Sequence, residues 1–428
     1  MPAWLRAESS MRRNEGRAAV PRVRSINQDD LRNHNLSVVL STLARSRTPL
    51  SRAELAKETG LTKATLSLLG DLLLKNHVIR QLDPTVGAAY GRPSTPLAFA
   101  PGHWAGVGMQ VNTDGFGYLV LDINGDVVES NWCERTMDDV RPDDILGELD
   151  AMMAPVETRL TRRGYTIAGA ELALPGLVTS GNELLVARNL GWRDLDLNRY
   201  PVIERLSANA ENEATLAALA QIPGYASQRT DGDWPLKTFD SFIYVSTDIG
   251  IGGAYVREGQ IVRGDHGFAG EIGHVCVDMH GGLCRCGRHG CLETIAGRRA
   301  LMVASGLADE AHAADTTLTP KLLEAWRHGD ARAVLAVDHA MTALAVALAS
   351  VVNIVDIENI VIGGLLGEFG DEMADVLHAR VASRILARDG VDMRVMVSPV
   401  TDHPALHGAA VMGLRRLFDS PLKYMTTV

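Results

Sequence analysis

The stretch "GHVCVDMHGGLCRCGRHGCLE", residues 273–293, holds four of the five cysteines in a 428-residue chain and leaves only Cys133 elsewhere. Three chemistries could explain such crowding: a disulfide knot, a metal site, or a redox or nucleophilic centre. The N-terminal lead "MPAWLRAESSMRRNEGRAAVPRVRS" has no apolar core and is spotted with arginine, so it does not read as a secretion signal. A disordered basic lead over residues 1–28 and a cytoplasmic location are expected. Thiols there stay reduced, which favours metal over disulfide. His274, Cys284, Cys286 and Cys291 fall as H-x9-C-x-C-x4-C, with glycines that let a tight loop turn three thiolates and one imidazole toward a single ion. Four such ligands and no open position describe structural zinc rather than a hydrolytic centre. His280 and His289 compete as ligands on spacing alone. Cys276 alternates with Val275 and Val277, and the expectation is a small side chain packed on a strand.

Charge divides the chain. Residues 1–95 carry 15 Lys and Arg against 8 Asp and Glu; the remainder carries 27 against 44. A basic head on an acidic body suits a head that meets a polyanion. Residues 31–82 read as three helices. "LRNHNLSVVLSTLARS" places Leu36, Val39, Leu40 and Leu43 at helical spacing. "LSRAELAKETG" opens on a Ser51–Glu54 capping box and stops at Gly60, and "LTKATLSLLGDLLLKNHVI" follows with Thr62 as N-cap. Two short helices around a glycine turn make a helix-turn-helix. "HVIRQLDPTVGAAYGRPSTPLAFA" then reads as two β segments around a narrow "GRPS" tip, a wing suited to an A·T-rich minor groove. Lys63, Thr65 and Ser67 are expected to face DNA, with Leu61, Leu66 and Leu69 turned to the core. Thr and Ser read bases weakly, so phosphate contacts by Lys63, Arg52 and Arg92 are expected to supply much of the affinity.

From "GVGMQVNTDGFGYLVLDINGDVV" onward, hairpin signals alternate with helices and buried strands such as "FIYVST" and "NIVIGG", the texture of an α/β body. "STDIGIGGAYVREGQIVRG" and "IVIGGLLGEFGDEM" add glycine-rich turns of the kind that approach phosphates. "TALAVALASVVNIVDIENIVIGG" is the most apolar run; Asn353, Asp356 and Glu358 interrupt it, so no membrane-spanning length is expected.

The pattern "GFAGEIGHVCVD…CRCGRHGCLE" closely resembles the signature of the ROK family of bacterial sugar kinases and sugar-responsive repressors, and the resemblance covers about residues 30–425. It implies an α/β fold class with a winged helix-turn-helix over 29–100 and a two-lobed actin/hexokinase-like body over 101–428. It further implies structural zinc on His274, Cys284, Cys286 and Cys291, and sugar hydroxyl contacts at Asn212, Glu271, His274 and Glu293, with Glu213 beside them.

Kinases and repressors of that family share a fold, so function rests on a few positions. Where the resembling kinases have a DIGGTK phosphate loop, this chain has "QVNTDG" from Gln110: an amide for the acid, Asn112 and Thr113 for the paired glycines, and a carboxylate, Asp114, that repels phosphate. Where they have an Asn-Asp pair with a catalytic aspartate, "ENEATLAALAQ" has Asn212–Glu213. One extra methylene moves a carboxylate by about an ångström, which costs about 100-fold in rate. The expectation is a repressor that binds an A·T-rich inverted repeat as a homodimer or homotetramer, with the body sensing a sugar or sugar phosphate. The alternative is an active ATP-dependent sugar kinase with an added DNA-binding head.

Overall fold

The computed structural model describes residues 27–84, 95–137, 140–227, 234–388 and 390–425. Residues 1–26 of the expected lead and the "GRPS" tip with Arg92 lie outside the described residues, while Asn27 and Gln28, the lead's last two, cap and open the first helix. Local signals set the first helices. Helix α1 (Gln28–Arg45) starts at Asn27, whose side chain accepts from the Asp30 N–H. After strand β1 (Leu50–Ser51), helix α2 (Arg52–Thr59) has the expected capping box on Ser51 and Glu54 and ends at Gly60 with φ 73°. Helix α3 (Lys63–Lys75) is capped by Thr62. Leu36, Val39, Leu40, Leu43, Leu66 and Leu69 are buried as their spacing requires, and Leu61 is half-buried against the same core. Strands β2 (Ile79–Gln81) and β3 (Pro96–Phe99) pair antiparallel, and β1 joins the far side of β3. The three helices fit a helix-turn-helix head.

The first lobe is a five-stranded sheet. Its chain order is β4 (Trp104–Asn112), β5 (Gly115–Asp122), β6 (Val127–Glu134), helix α4 (Pro142–Arg162), β7 (Thr166–Leu174), a small sheet of β8 (Leu177–Val178), β9 (Glu183–Ala187) and β10 (Trp192–Asp196), helix α5 (Pro201–Leu206), then β11 (Asn209–Asn212) and helix α6 (Glu213–Leu219). Spatial order is β11-β7-β4-β5-β6, with β4 parallel to β7 and antiparallel to β5. Strand β4 is buried on both faces. Ala105, Val107, Met109 and Val111 share a core with Ile145, Leu149 and Val156 of α4. On the other face, a Cβ at Gly106 or Gly108 would come within 2.2 or 2.3 Å of backbone carbonyls at Ala410 and Leu406, so only glycine admits the C-terminal helix this close.

The second lobe runs β12 (Phe242–Thr247), β13 (Ile251–Arg257), β14 (Gln260–Ile261), helices α7 (Glu293–Ala296), α8 (Arg298–Ala304), α9 (Leu318–Arg327) and α10 (Ala331–Val355), β15 (Asn359–Gly364), helix α11 (Asp371–Ala382) and β16 (Arg394–Val397). Its sheet order is β14-β13-β12-β15-β16. Helix α10 corrects one expectation: it runs 25 residues and is long and apolar enough to cross a membrane by length and composition. Asp356, at φ 55°, caps the end of this helix rather than breaking its middle. Its alanine-rich face, including Ala340, Leu344 and Leu348, is buried in the core of this lobe.

Helix α12 (Pro404–Asp419) returns to the first lobe and carries the head with it. Leu36, Leu40 and Leu43 of α1 belong to one hydrophobic core with Leu216 and Leu219 of α6 and Leu414, Leu417 and Phe418 of α12. Polar ties frame that junction. The Asn33 side chain donates to the Asp419 carbonyl at 3.2 Å and accepts from the Leu422 N–H at 3.1 Å. Trp104 Nε1 donates to the Asn76 carbonyl at 2.9 Å, and the Arg45 guanidinium lies 4.4 Å from the Phe239 ring centre.

Candidate effector cleft and metal centre

A cleft of about 690 Å³ lies between the lobes. The strand ends build it: β4 brings Gln110, β11 and α6 bring Asn212 and Glu213, β12 and its turn bring Ser246 and Asp248, and α7 brings Glu293. Asn212, Glu213, Glu271, His274 and Glu293, the five residues expected to contact a sugar, all line it.

Their polar atoms are partly spoken for. Asn212 Oδ1 caps α6 by accepting from the N–H groups of Ala214 and Thr215 at 2.8 and 3.2 Å, while its Nδ2 donates to the Gly176 carbonyl at 2.9 Å. Glu293 accepts from the Ile251 N–H at 3.1 Å, and burial pushes its carboxyl up. Burial, with Glu293 nearby, does the same to Glu271. Glu213 accepts from Gln110 Nε2 at 3.1 Å, and burial, reinforced by Asp248, pushes its carboxyl up to about 8.

At the edge of the cleft an ion pair joins the lobes. Asp114 sits in the turn between β4 and β5, and both of its oxygens accept from Arg298 on α8, at 3.0 and 2.8 Å. Asp248 lies 3.6 Å from the same guanidinium, whose side chain is only 5% exposed. Within the turn, the Asp114 N–H donates to Asn112 Oδ1 at 2.9 Å, so this backbone donor is occupied by the loop's own amide. Beside it the Trp132 and His403 rings stack with centroids 4.2 Å apart, and His403 adopts φ 42°. Sequence reasoning missed Arg298, Asp248, Trp132 and His403. The glycines around Asp248 were the only local signal, and they drew attention to backbone rather than to its carboxylate.

The four expected metal ligands converge. The ligand atoms of His274, Cys284, Cys286 and Cys291 all lie within 4.8 Å of one another. Cys284 Sγ is 3.8 Å from His274 Nδ1, and the Cys286 and Cys291 sulfurs are 3.6 Å apart. Ligands at tetrahedral zinc stand about 3.6–3.8 Å apart, given Zn–S near 2.3 Å and Zn–N near 2.1 Å. The donor set therefore fits such an ion, with His274 Nε2 left over and 3.9 Å from Glu271. His280 and His289 are exposed and outside this group. Cys276 corrects an expectation: it is exposed, bridged by backbone to Cys291. Val275 and Val277 pack against the second-lobe core, while the residue between them, in an isolated bridge rather than a strand, lies outward.

At the head, Lys63 is exposed at the first position of α3, and Thr65 and Ser67 are half-buried. Arg52 donates to Asp71 of α3 at 2.7 Å, so its guanidinium is held against the head's own third helix.

A model described as "ROK family" matches residues 107–416. The chain is 26% identical over 414 residues to the xylose repressor of Caldicellulosiruptor bescii, spanning 91% of this chain and 98% of that protein. It is 30% identical over 244 residues to the glucokinase of Halalkalibacterium halodurans, spanning 54% of this chain and 71% of that enzyme. Among solved structures, a ROK-family transcriptional regulator, a homologue of the E. coli Mlc protein, superposes with TM-score 0.71 at 23% identity over 92% of this chain and 98% of that one. Fold, signature and relatives agree, and the chain belongs to the ROK family.

Proposed function

We propose that this chain is a cytoplasmic DNA-binding transcriptional repressor whose kinase-like body senses a small polyhydroxy ligand. One observation supports the reading most: the turn after Gln110, where the resembling kinases have their phosphate loop, carries Asp114 bound through both oxygens by Arg298 at 3.0 and 2.8 Å. A carboxylate there repels phosphate, and the guanidinium that could attract it is already neutralised. The repressor relative matched nearly end to end supports the same reading.

Residues 29–100 act as a winged helix-turn-helix and 101–428 as sensor and oligomerisation body. Lys63, Thr65, Ser67, Arg52 and Arg92 contact DNA at an A·T-rich inverted repeat, which two or four copies bind together. Asn212, Glu213, Glu271, His274 and Glu293 form the effector wall, with zinc on His274, Cys284, Cys286 and Cys291 bracing it. Helix α6 begins at the cleft and ends in the core that carries α1, which gives ligand-dependent lobe closure a route to the head. Genome-wide recovery of DNA bound to the full chain, followed by footprinting, tests the reading; recovery of no protected dyad overturns it.

The kinase reading keeps one observation, the intact acidic and amide wall of an open cleft. An ADP-release screen over hexoses and N-acetylated amino sugars decides it, and turnover at any of them would displace the repressor as the sole function.

A further inference from the structure

The N-terminal half of the outward stripe of α3 is apolar where a base-reading helix usually offers hydrogen bonds. Residues 64, 68, 71 and 75 share one helical face. Ala64 and Leu68 form its N-terminal half, ahead of Asp71 and Lys75, and Leu68 is 71% exposed. Three of the polar side chains around them are committed to the head itself. Asp71 is held by Arg52 at 2.7 Å, and the hydroxyls of Thr62 and Thr65 lie 2.9 Å apart in a mutual hydrogen bond.

An exposed leucine is ordinary on a protein surface. This one stands midway along the second helix of a helix-turn-helix, the element that geometry delivers to the major groove. On the edges of the four standard bases in that groove, the single apolar group is the C5 methyl of thymine. We propose that Ala64 and Leu68 select thymine by methyl contact at fixed positions in each operator half-site, while Lys63 supplies phosphate contact. The proposal rests on the reading of the chain as a DNA-binding regulator. It makes sequence choice depend on a group that cytosine and uracil lack.

The test starts with duplexes enriched from a randomised library on the full chain. Each thymine of the recovered consensus is then replaced singly by deoxyuridine, and Kd is measured for wild type and Leu68→Ala. The expected result is one or two thymines per half-site at which uracil weakens wild-type binding by about fourfold, the worth of one buried methyl. Leu68→Ala, exposed and therefore expected to melt like wild type, loses that penalty. Selective binding with no uracil-sensitive thymine, or an equal penalty in Leu68→Ala, overturns methyl reading while leaving the regulator reading intact. Enrichment of no duplex overturns the regulator reading, and this proposal with it.

Discussion

Arg298 and Asp114, 184 positions apart in sequence, form a two-pronged ion pair across the cleft at 3.0 and 2.8 Å. Removing one partner strands the other, and the guanidinium is the more deeply buried of the two. Arg298→Ala is expected to cost about 3 kcal/mol of stability, and the Asp114→Ala/Arg298→Ala double variant less than the sum of the two singles. Denaturant titration of the four-member cycle checks this. Additive losses would mean the pair does not couple the lobes.

Glu213 gives the body a pH dependence of known sign. Its carboxyl is pushed up to about 8 in the fold from an ordinary 4.5. The folded chain therefore keeps a proton that the unfolded chain releases. That contribution is fully present below about pH 4.5, declines as pH rises, and is gone once pH passes the folded value. Glu213→Gln, neutral throughout, is expected to gain on wild type by roughly 4 kcal/mol between pH 5 and pH 9. Parallel stability–pH curves for the two proteins would contradict the buried, protonated carboxyl.

What the sequence made legible was what short-range chemistry dictates. Ser51, Glu54 and Gly60 mark both ends of α2 within ten residues, and the metal ligands sit in one short loop. Cys276 was misjudged because alternation gives a period but not its phase, and the phase is set by which neighbours find the core. The Arg52–Asp71 pair joins two helices, and the Arg298–Asp114 pair joins two lobes. Neither leaves a local pattern, since each exists only after packing has brought distant segments together. Helix α10 was undervalued for a related reason: its polar interruptions fall at its end, where a cap uses them.

The cysteines separate into two kinds. Cys284 and Cys291 are buried within the ligand group, whereas Cys276 is exposed outside it. Full-length protein is expected to carry one zinc per chain by elemental mass spectrometry. Cys284→Ser should lose the metal and lower Tm by about 5 °C or more, since a structural ion contributes directly to folding. Cys276→Ser should leave both unchanged. Retention of full stability by Cys284→Ser in chelator would remove the metal assignment.

The junction of head and body turns on one backbone contact. Gly224 follows α6, has φ 68°, and a Cβ there would meet the Ala44 carbonyl of α1 at 2.3 Å. Beside it, Arg415 of α12 donates to the Tyr225 carbonyl at 2.9 Å, so the same turn is held from both helices. Gly224→Ala adds the cost of a left-handed alanine to a clash that pushes α1 away, together about 2 kcal/mol. If the cleft reaches the DNA-binding head through this turn, the variant will still bind operator and still bind sugar, but sugar will no longer change operator affinity. Melting curves give the first effect, and operator titrations with and without sugar give the second. Unaltered coupling in a destabilised Gly224→Ala would place the route elsewhere, along α12 rather than through α6.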